Sequence, residues 1–135
     1  MSKRTRFIWF DTQAEEAALF YTSIFRNSKI THIARFPEGG PRPAGMASTV
    51  SFTLDGQQFT ALNGGPEFNF TEAISLFVTC ETQEEVDEYW QKLTADGEEV
   101  QCGWLKDKFG ISWQIIPNAL MDLLSDPDPE KSGRV

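Results

Sequence analysis

The chain has 135 residues, 40 % apolar and 13 % aromatic, which predicts one domain with a core large enough to fold unaided. Its formal net charge of −8 argues against nucleic acid as a partner, because counterion release needs a basic patch and the only basic cluster is Lys3, Arg4 and Arg6. No apolar run approaches the ~20 residues of a membrane span, and Phe7 to Phe10 is too short for a signal-peptide core. Neither a membrane nor secretion is therefore expected, and Cys80 and Cys102 read as reduced, largely buried thiols of a cytoplasmic protein.

Phe7 to Phe10 reads as a short, mostly buried strand. Thr12 followed by Glu15 is a capping-box pattern, opening a helix over Ala14 to Phe25 with Ala17, Phe20, Tyr21 and Ile24 at helical spacing. Asn27-Ser28 stops it. Lys29 to Phe36 predicts a strand with Ile30, His32, Ala34 and Phe36 on one side and Thr31, Ile33 and Arg35 on the other. Pro37 to Gly45, with its prolines and glycines, is a loop, either a lid or a plain surface excursion. Ala47 to Leu54 alternates Val50, Phe52 and Leu54 against Thr49, Ser51 and Thr53. Asp55-Gly56 is a two-residue hairpin turn, and Gln57 to Asn63 returns as a strand that Gly64-Gly65-Pro66 breaks.

Ala73 to Cys80 is again an apolar strand. Thr82 with Glu85 repeats the capping box, and Val86, Tyr89, Trp90 and Leu93 give the next helix its apolar stripe, with Gly97 as its C-terminal stop. A strand over Glu99 to Leu105, a turn at Asp107 to Gly110 and a strand over Ile111 to Ile116 follow. Ala119 to Leu124 predicts a short helix, and Ser125 to Val135 a frayed tail.

The two halves repeat each other. Phe7-Ile8-Trp9-Phe10-Asp11-Thr12-Gln13 sets over Phe77-Val78-Thr79-Cys80-Glu81-Thr82-Gln83, and both continue with paired glutamates and an aromatic pair. The order of elements matches as well, so the prediction is an α+β fold of two βαβββ repeats within one domain spanning 1–135. Repeat one covers about 5–66 and repeat two about 71–117, with a short helix and tail over 118–135. Each helix is expected on the outer face of its sheet, with curved inner faces around a cleft. Alternation in the last strand puts Ile111, Trp113 and Ile115 beneath the helix, and Ser112, Gln114 and Ile116 toward the cleft.

These residues resemble the vicinal oxygen chelate superfamily (glyoxalase, bleomycin resistance and dioxygenase proteins), and within it the PhnB-like group. The resemblance is carried by Trp9-Phe10-Asp11 with the helix from Glu15, by Leu54 to Pro66, by Thr82 to Trp90, and by Cys102 to Pro117. Such proteins are often labelled 3-demethylubiquinone-9 3-methyltransferase-like. A methyltransferase using S-adenosylmethionine would usually need a Gly-rich turn opening onto a helix, and Asn63-Gly64-Gly65 opens onto none. The resemblance also implies a homodimer.

Metal-using members of the superfamily hold their ion with His and Glu from the first and last strand of each repeat. The corresponding stretches here are Arg6 to Phe10, Phe59 to Ala61, Ile74 to Leu76 and Gln114, none with His, Asp, Glu or Cys. A neutral amide at Gln114 is a weak ligand beside a carboxylate, so no metal and no cofactor are expected. His32 reads as a half-exposed strand histidine rather than a base, and Cys102 as structural rather than nucleophilic. The ligand-binding candidates are Asn63 and Gln114, each offering donor and acceptor, with Phe10, Phe70 and Trp104 as aromatic walls. The alternative is structural: Asn63 supporting the Gly64-Gly65 turn and Gln114 pairing with backbone. The functional expectation is a metal-free protein binding a small molecule in the cleft. An isomerase- or lyase-type enzyme, or a structural or regulatory dimer with a vestigial cleft, stands as the alternative.

Overall fold

The computed structural model describes residues 4–101 and 103–118, so Cys102, the predicted helix from Ala119 and the tail lie outside the described residues. The chain divides into two units between Asn69 and Phe70. The first holds β1 (Arg6–Phe10), α1 (Ala14–Ile24), β2 (Lys29–Arg35), β3 (Ala47–Leu54) and β4 (Gln57–Asn63). The second holds β5 (Ser75–Cys80), α2 (Gln83–Thr94), β6 (Glu98–Glu99), β7 (Trp104–Lys106) and β8 (Ser112–Pro117).

Each unit is one four-stranded mixed sheet with one helix. The strand orders are β1-β4-β3-β2 and β5-β8-β7-β6, the same pattern twice. In both, the first strand runs parallel to the last and the other pairs are antiparallel. A parallel first pair demands a crossover, and in each unit that crossover carries the helix. The registers are equivalent too: Phe7 faces Thr60 as Phe77 faces Gln114, and Phe10 faces Asn63 as Cys80 faces Pro117.

In the first unit α1 packs on β3, β4 and β2, over a face of Val50, Phe52, Leu54, Phe59 and Ala61, all buried. Tyr21 of α1 meets the Phe52 ring at 6.4 Å and Phe52 stacks on Phe59 at 5.4 Å. Asp55-Gly56 makes the predicted tight turn, both residues having positive φ (49° and 80°). The simple alternation expected for β2 does not hold. Ile30 pairs Phe52 but His32 pairs Ser51, so Thr31 is an extra residue in a bulge. The bulge puts Ile30 and Ile33 on the α1 side and His32 on the other, opposite Ser51.

The capping boxes part company. Thr82 accepts from the Glu85 N–H at 3.1 Å, and the Glu85 carboxylate accepts from the Glu81 N–H at 3.1 Å. At α1 the N-cap is Gln13, with no side-chain cap bond, so the box read at Thr12 and Glu15 does not form. A residue from the far end of the sheet supplies the acceptor instead: the buried Asn63 Oδ1 takes the Ala14 N–H at 2.8 Å, and its Nδ2 donates to the Ala47 carbonyl at 2.9 Å. Pro117, the equivalent residue in the second unit, has no side-chain amide to do this. Glu15 serves elsewhere. Arg35 grips its carboxylate with both guanidinium nitrogens at 2.9 and 3.1 Å and also donates to the Gly45 carbonyl. That contact holds the Glu15 carboxyl below the usual carboxylate range.

In the second unit α2 packs on β8, β7 and β5, above Leu105, Trp113 and Ile115, with Leu93 fully buried. The single strand read over Glu99 to Leu105 is two, β6 and β7. The chain reverses between them through bonds from the Val100 N–H to the Trp104 carbonyl and from the Trp104 N–H to the Gln101 carbonyl. Gly97 does follow α2, but the left-handed residue is Asp96 (φ 58°). Gly97 is required for space, since a Cβ there would stand 2.3 Å from the Lys106 carbonyl oxygen.

Asn63→Ala removes an acceptor and a donor from a buried site and should cost about 2–4 kcal/mol in chemical denaturation. Thr82→Ala should cost about 1 kcal/mol, and Thr12→Ala less than about 0.5 kcal/mol. Equal losses at Thr12 and Asn63 would contradict the capping described.

Candidate functional site

In each sheet one face is taken by the helix, and the candidate site residues are sought on the other. In the second unit the orientation of β8 decides which residues stand on that open face. Asp107 is only 3 % exposed. Its Oδ2 accepts the Trp113 indole N–H at 2.8 Å, and its Oδ1 accepts the backbone N–H groups of Phe109 at 2.9 Å and Ile111 at 3.1 Å. The residue is thus more than the first position of a turn: it ties the β7–β8 connection to the side chain that β8 buries under α2. With Trp113 held there, Ser112 and Gln114 face the other way.

Gln114 occupies the centre of a row across three strands, between Phe77 of β5 and Trp104 of β7. Its Nε2 donates to Ser75 Oγ at 2.9 Å. The next row is Ser75, Ser112 and Lys106, and Lys106 is ion-paired with Glu72. That pairing lowers the Glu72 carboxyl below its ordinary value and raises the Lys106 ammonium above its own, so the row carries no uncompensated charge. Both partners are substantially exposed, which keeps the pair's contribution to stability small.

The equivalent row of the first sheet is Phe7, Thr60 and Ser51. There the two hydroxyls lie 3.4 Å apart and satisfy each other. Along the same face, Trp9 donates from its indole to the Gly65 carbonyl at 2.9 Å and meets the Phe68 ring edge-on at 4.9 Å. Its ring lies so close over Gly64 that a Cβ there would come within 2.4 Å of it. The Gly64-Gly65 segment therefore accommodates a tryptophan.

Of the residues singled out from sequence, Trp104 and Gln114 come together as a cross-strand pair. Phe10 and Asn63 are also paired, but on the α1 side of the first sheet, 2 % and 3 % exposed. There Phe10 is core, and both ends of the Asn63 amide are taken by backbone, close to the structural alternative weighed for it. Phe70 lies beside the Asp107–Gly110 turn, 3.7 Å from where a Gly110 Cβ would be. The open face adds Phe77, 48 % exposed, and Ser75. The alternation Ser75-Phe77-Thr79 was visible in the sequence, but the parallel register that sets it beside Gln114 was not. Among the described residues no group of three or more His, Cys, Asp or Glu converges to hold a metal ion. The stretches read from sequence as counterparts of metal-ligand positions, Arg6 to Phe10, Phe59 to Ala61, Ile74 to Leu76 and Gln114, contain no His, Asp, Glu or Cys. Cys80 is a free, buried thiol. Burial first, and then the neighbouring Glu85, push it up to about 11.

The fold is shared with proteins of varied description. The FosX fosfomycin resistance protein of Listeria monocytogenes is 14 % identical, with 93 % of this chain and 98 % of that one covered and a TM-score of 0.66. A glyoxylase/bleomycin resistance protein/dioxygenase domain from Frankia is 15 % identical, with 87 % and 92 % covered and a TM-score of 0.52. The class is therefore the glyoxalase, or vicinal oxygen chelate, fold. A PhnB protein of Bacillus cereus stands much nearer, with 42 % identity, 86 % of this chain and 99 % of that one covered, and a TM-score of 0.81. The family model described as 3-demethylubiquinone-9 3-methyltransferase matches residues 2–116, and the chain belongs to that PhnB-like family. No match emerges among curated proteins. No helix among the described residues is long and apolar enough to cross a membrane.

Two outcomes follow. Asp107→Ala strands three donors, two backbone and one indole, and should destabilise the protein by about 3–5 kcal/mol in denaturant titration. Cys80, measured in a Cys102→Ser background at pH 8, should react with a disulfide reagent at least about 100-fold more slowly folded than in denaturant. Its folded value lies above the ordinary 9.0. The stability it contributes is therefore complete below about pH 9 and lost as pH rises toward about 11.

Proposed function

We propose that this chain is a metal-free, cytoplasmic small-molecule-binding protein that works as a homodimer and takes its ligand on the open face of the second sheet. The observation that carries this is the row Phe77–Gln114–Trp104, two aromatic side chains flanking a fixed amide, the mixture of apolar wall and few placed polar groups that small-molecule sites use. The absence of any carboxylate or imidazole at the four ligand positions supports a metal-free site. The family's methyltransferase description gains no support from residues 63–65, where Gly64 makes room for Trp9 and no helix begins that would receive a nucleotide phosphate.

Native mass spectrometry of gently purified protein, with metal analysis of the same sample, tests this reading. The expected result is a small molecule retained by the parent and lost from Gln114→Ala, with metal well below one equivalent. Stoichiometric Zn, Ni, Mn or Fe would overturn the metal-free assignment. A molecule retained equally by Gln114→Ala and Trp104→Ala would overturn the site.

A further inference from the structure

Asn63 and Gly64 are fixed by separate demands. The Asn63 side chain has to be an amide, because its Oδ1 takes the Ala14 N–H at 2.8 Å while its Nδ2 donates to the Ala47 carbonyl at 2.9 Å. Position 64 has to be glycine, because a Cβ there would stand 2.4 Å from the Trp9 ring. Together they make the one Asn-Gly pair of the chain; Asn27, Asn69 and Asn118 precede serine, phenylalanine and alanine. Asn-Gly is the dipeptide in which an asparagine amide is chemically least durable, since glycine has no side chain to hinder attack by its own backbone nitrogen. Two packing requirements have therefore written a labile bond into the chain.

The reaction is intramolecular and its co-reactant is water. The Gly64 nitrogen gives up its proton to hydroxide or water and bonds to Asn63 Cγ. The Cγ–Nδ2 bond breaks, and that nitrogen takes up a proton and leaves as ammonia. A cyclic succinimide remains. Water then opens the ring at one of its two carbonyls. Cleavage at Cγ restores the normal chain with aspartate at position 63. Cleavage at the backbone carbonyl carbon leaves isoaspartate, with the chain rerouted through Cγ. The sum is amide plus water giving acid plus ammonia, with no change of oxidation state.

In the native chain both reacting groups are engaged. The Gly64 N–H donates to the Phe10 carbonyl at 2.9 Å. The Asn63 amide is bonded at both ends, and the residue is 3 % exposed. It is also held extended as the last residue of β4, opposite Phe10. Ring closure therefore requires β1, β3 and α1 to release this corner of the first unit. Neither product fits the place it came from. An aspartate carboxylate has no hydrogen to donate, so it sets an oxygen against the Ala47 carbonyl and buries a charge. Isoaspartate adds a backbone atom and breaks the register with Phe10. We propose that Asn63-Gly64 is a spontaneous deamidation site that the native fold keeps closed. The chain converts there only when it opens, and a converted chain does not regain full stability. The site thereby records the time a molecule has spent unfolded.

The full chain is held at mildly alkaline pH in native buffer and, in parallel, in guanidinium chloride, and peptide mass mapping follows the gain of an acid at each asparagine. Asp55-Gly56 and Asp96-Gly97 can close the same ring but return acids of unchanged mass, so they leave the reading clear. The expected result is conversion at Asn63 ahead of the other asparagines in denaturant, and at least about 100-fold slower in native buffer, as the small open population dictates. Equal rates in the two conditions, or no conversion at Asn63 in denaturant, would overturn the proposal. Asn63→Asp reproduces one product and should melt about 10 °C below the parent. Should that variant not fold, the parent decides: after partial conversion in denaturant and return to native buffer, converted chains should collect in the fraction that melts early or stays unfolded. A variant that melts with the parent, or converted chains spread evenly through the native fraction, would overturn the loss of stability.

Discussion

The bond from the Trp113 indole to the buried Asp107 carboxylate orients the second sheet. A strand has two faces, and a rotation by one residue exchanges them. Trp113 is large enough to fill the space beneath α2, and its polar N–H needs a partner once buried. Asp107 supplies that partner while also closing the β7–β8 turn through two backbone N–H groups. Ser112 and Gln114 are placed on the open face as a consequence. Gly97 permits the end of α2 to approach the backbone of Lys106 and Asp107 closely, so helix end, turn and strand meet at this residue.

The first unit reaches the same architecture by a different device. The side chain of Asn63, at the end of β4, reaches both the start of α1 and the first residue of β3. One buried amide therefore joins three elements that local sequence alone would leave independent. Its equivalent in the second unit, Pro117, has no such group, and there α2 is capped by its own Thr82. Duplication preserved the strand order and the parallel register, while the means of fixing each helix diverged.

The open faces diverged as well. Phe7 and Phe77 are equivalent and both exposed, but the polar centres beside them differ. Thr60 bonds Ser51 across the strands, whereas Gln114 donates along the face to Ser75 and pairs with Trp104. A face whose polar groups satisfy each other has little to offer a ligand. The second sheet instead leaves the buried Ser112 hydroxyl without a partner among the described residues. The family's shared scaffold leaves the ligand undecided, because the scaffold is common to proteins with different descriptions and the site residues are not.

Much of this was legible in the chain alone. Apolar alternation, the Asp55-Gly56 turn and the matched segments from Phe7 and Phe77 determined the α+β class and the duplicated βαβββ order, since these signals are local and periodic. Alternation in β8 likewise put Gln114 and Ser112 opposite Trp113. What the chain could not express was register and reach. The bulge at Thr31 reversed the side of His32. The parallel pairing of β1 with β4 put Phe10 and Asn63 under α1. The long-range bond from Asn63 replaced the cap expected from Thr12. Each of these depends on contacts between residues tens of positions apart, whose energies are settled only when the sheets assemble. Only the tertiary structure could decide which polar groups found partners among the described residues and which, like the Ser112 hydroxyl, did not.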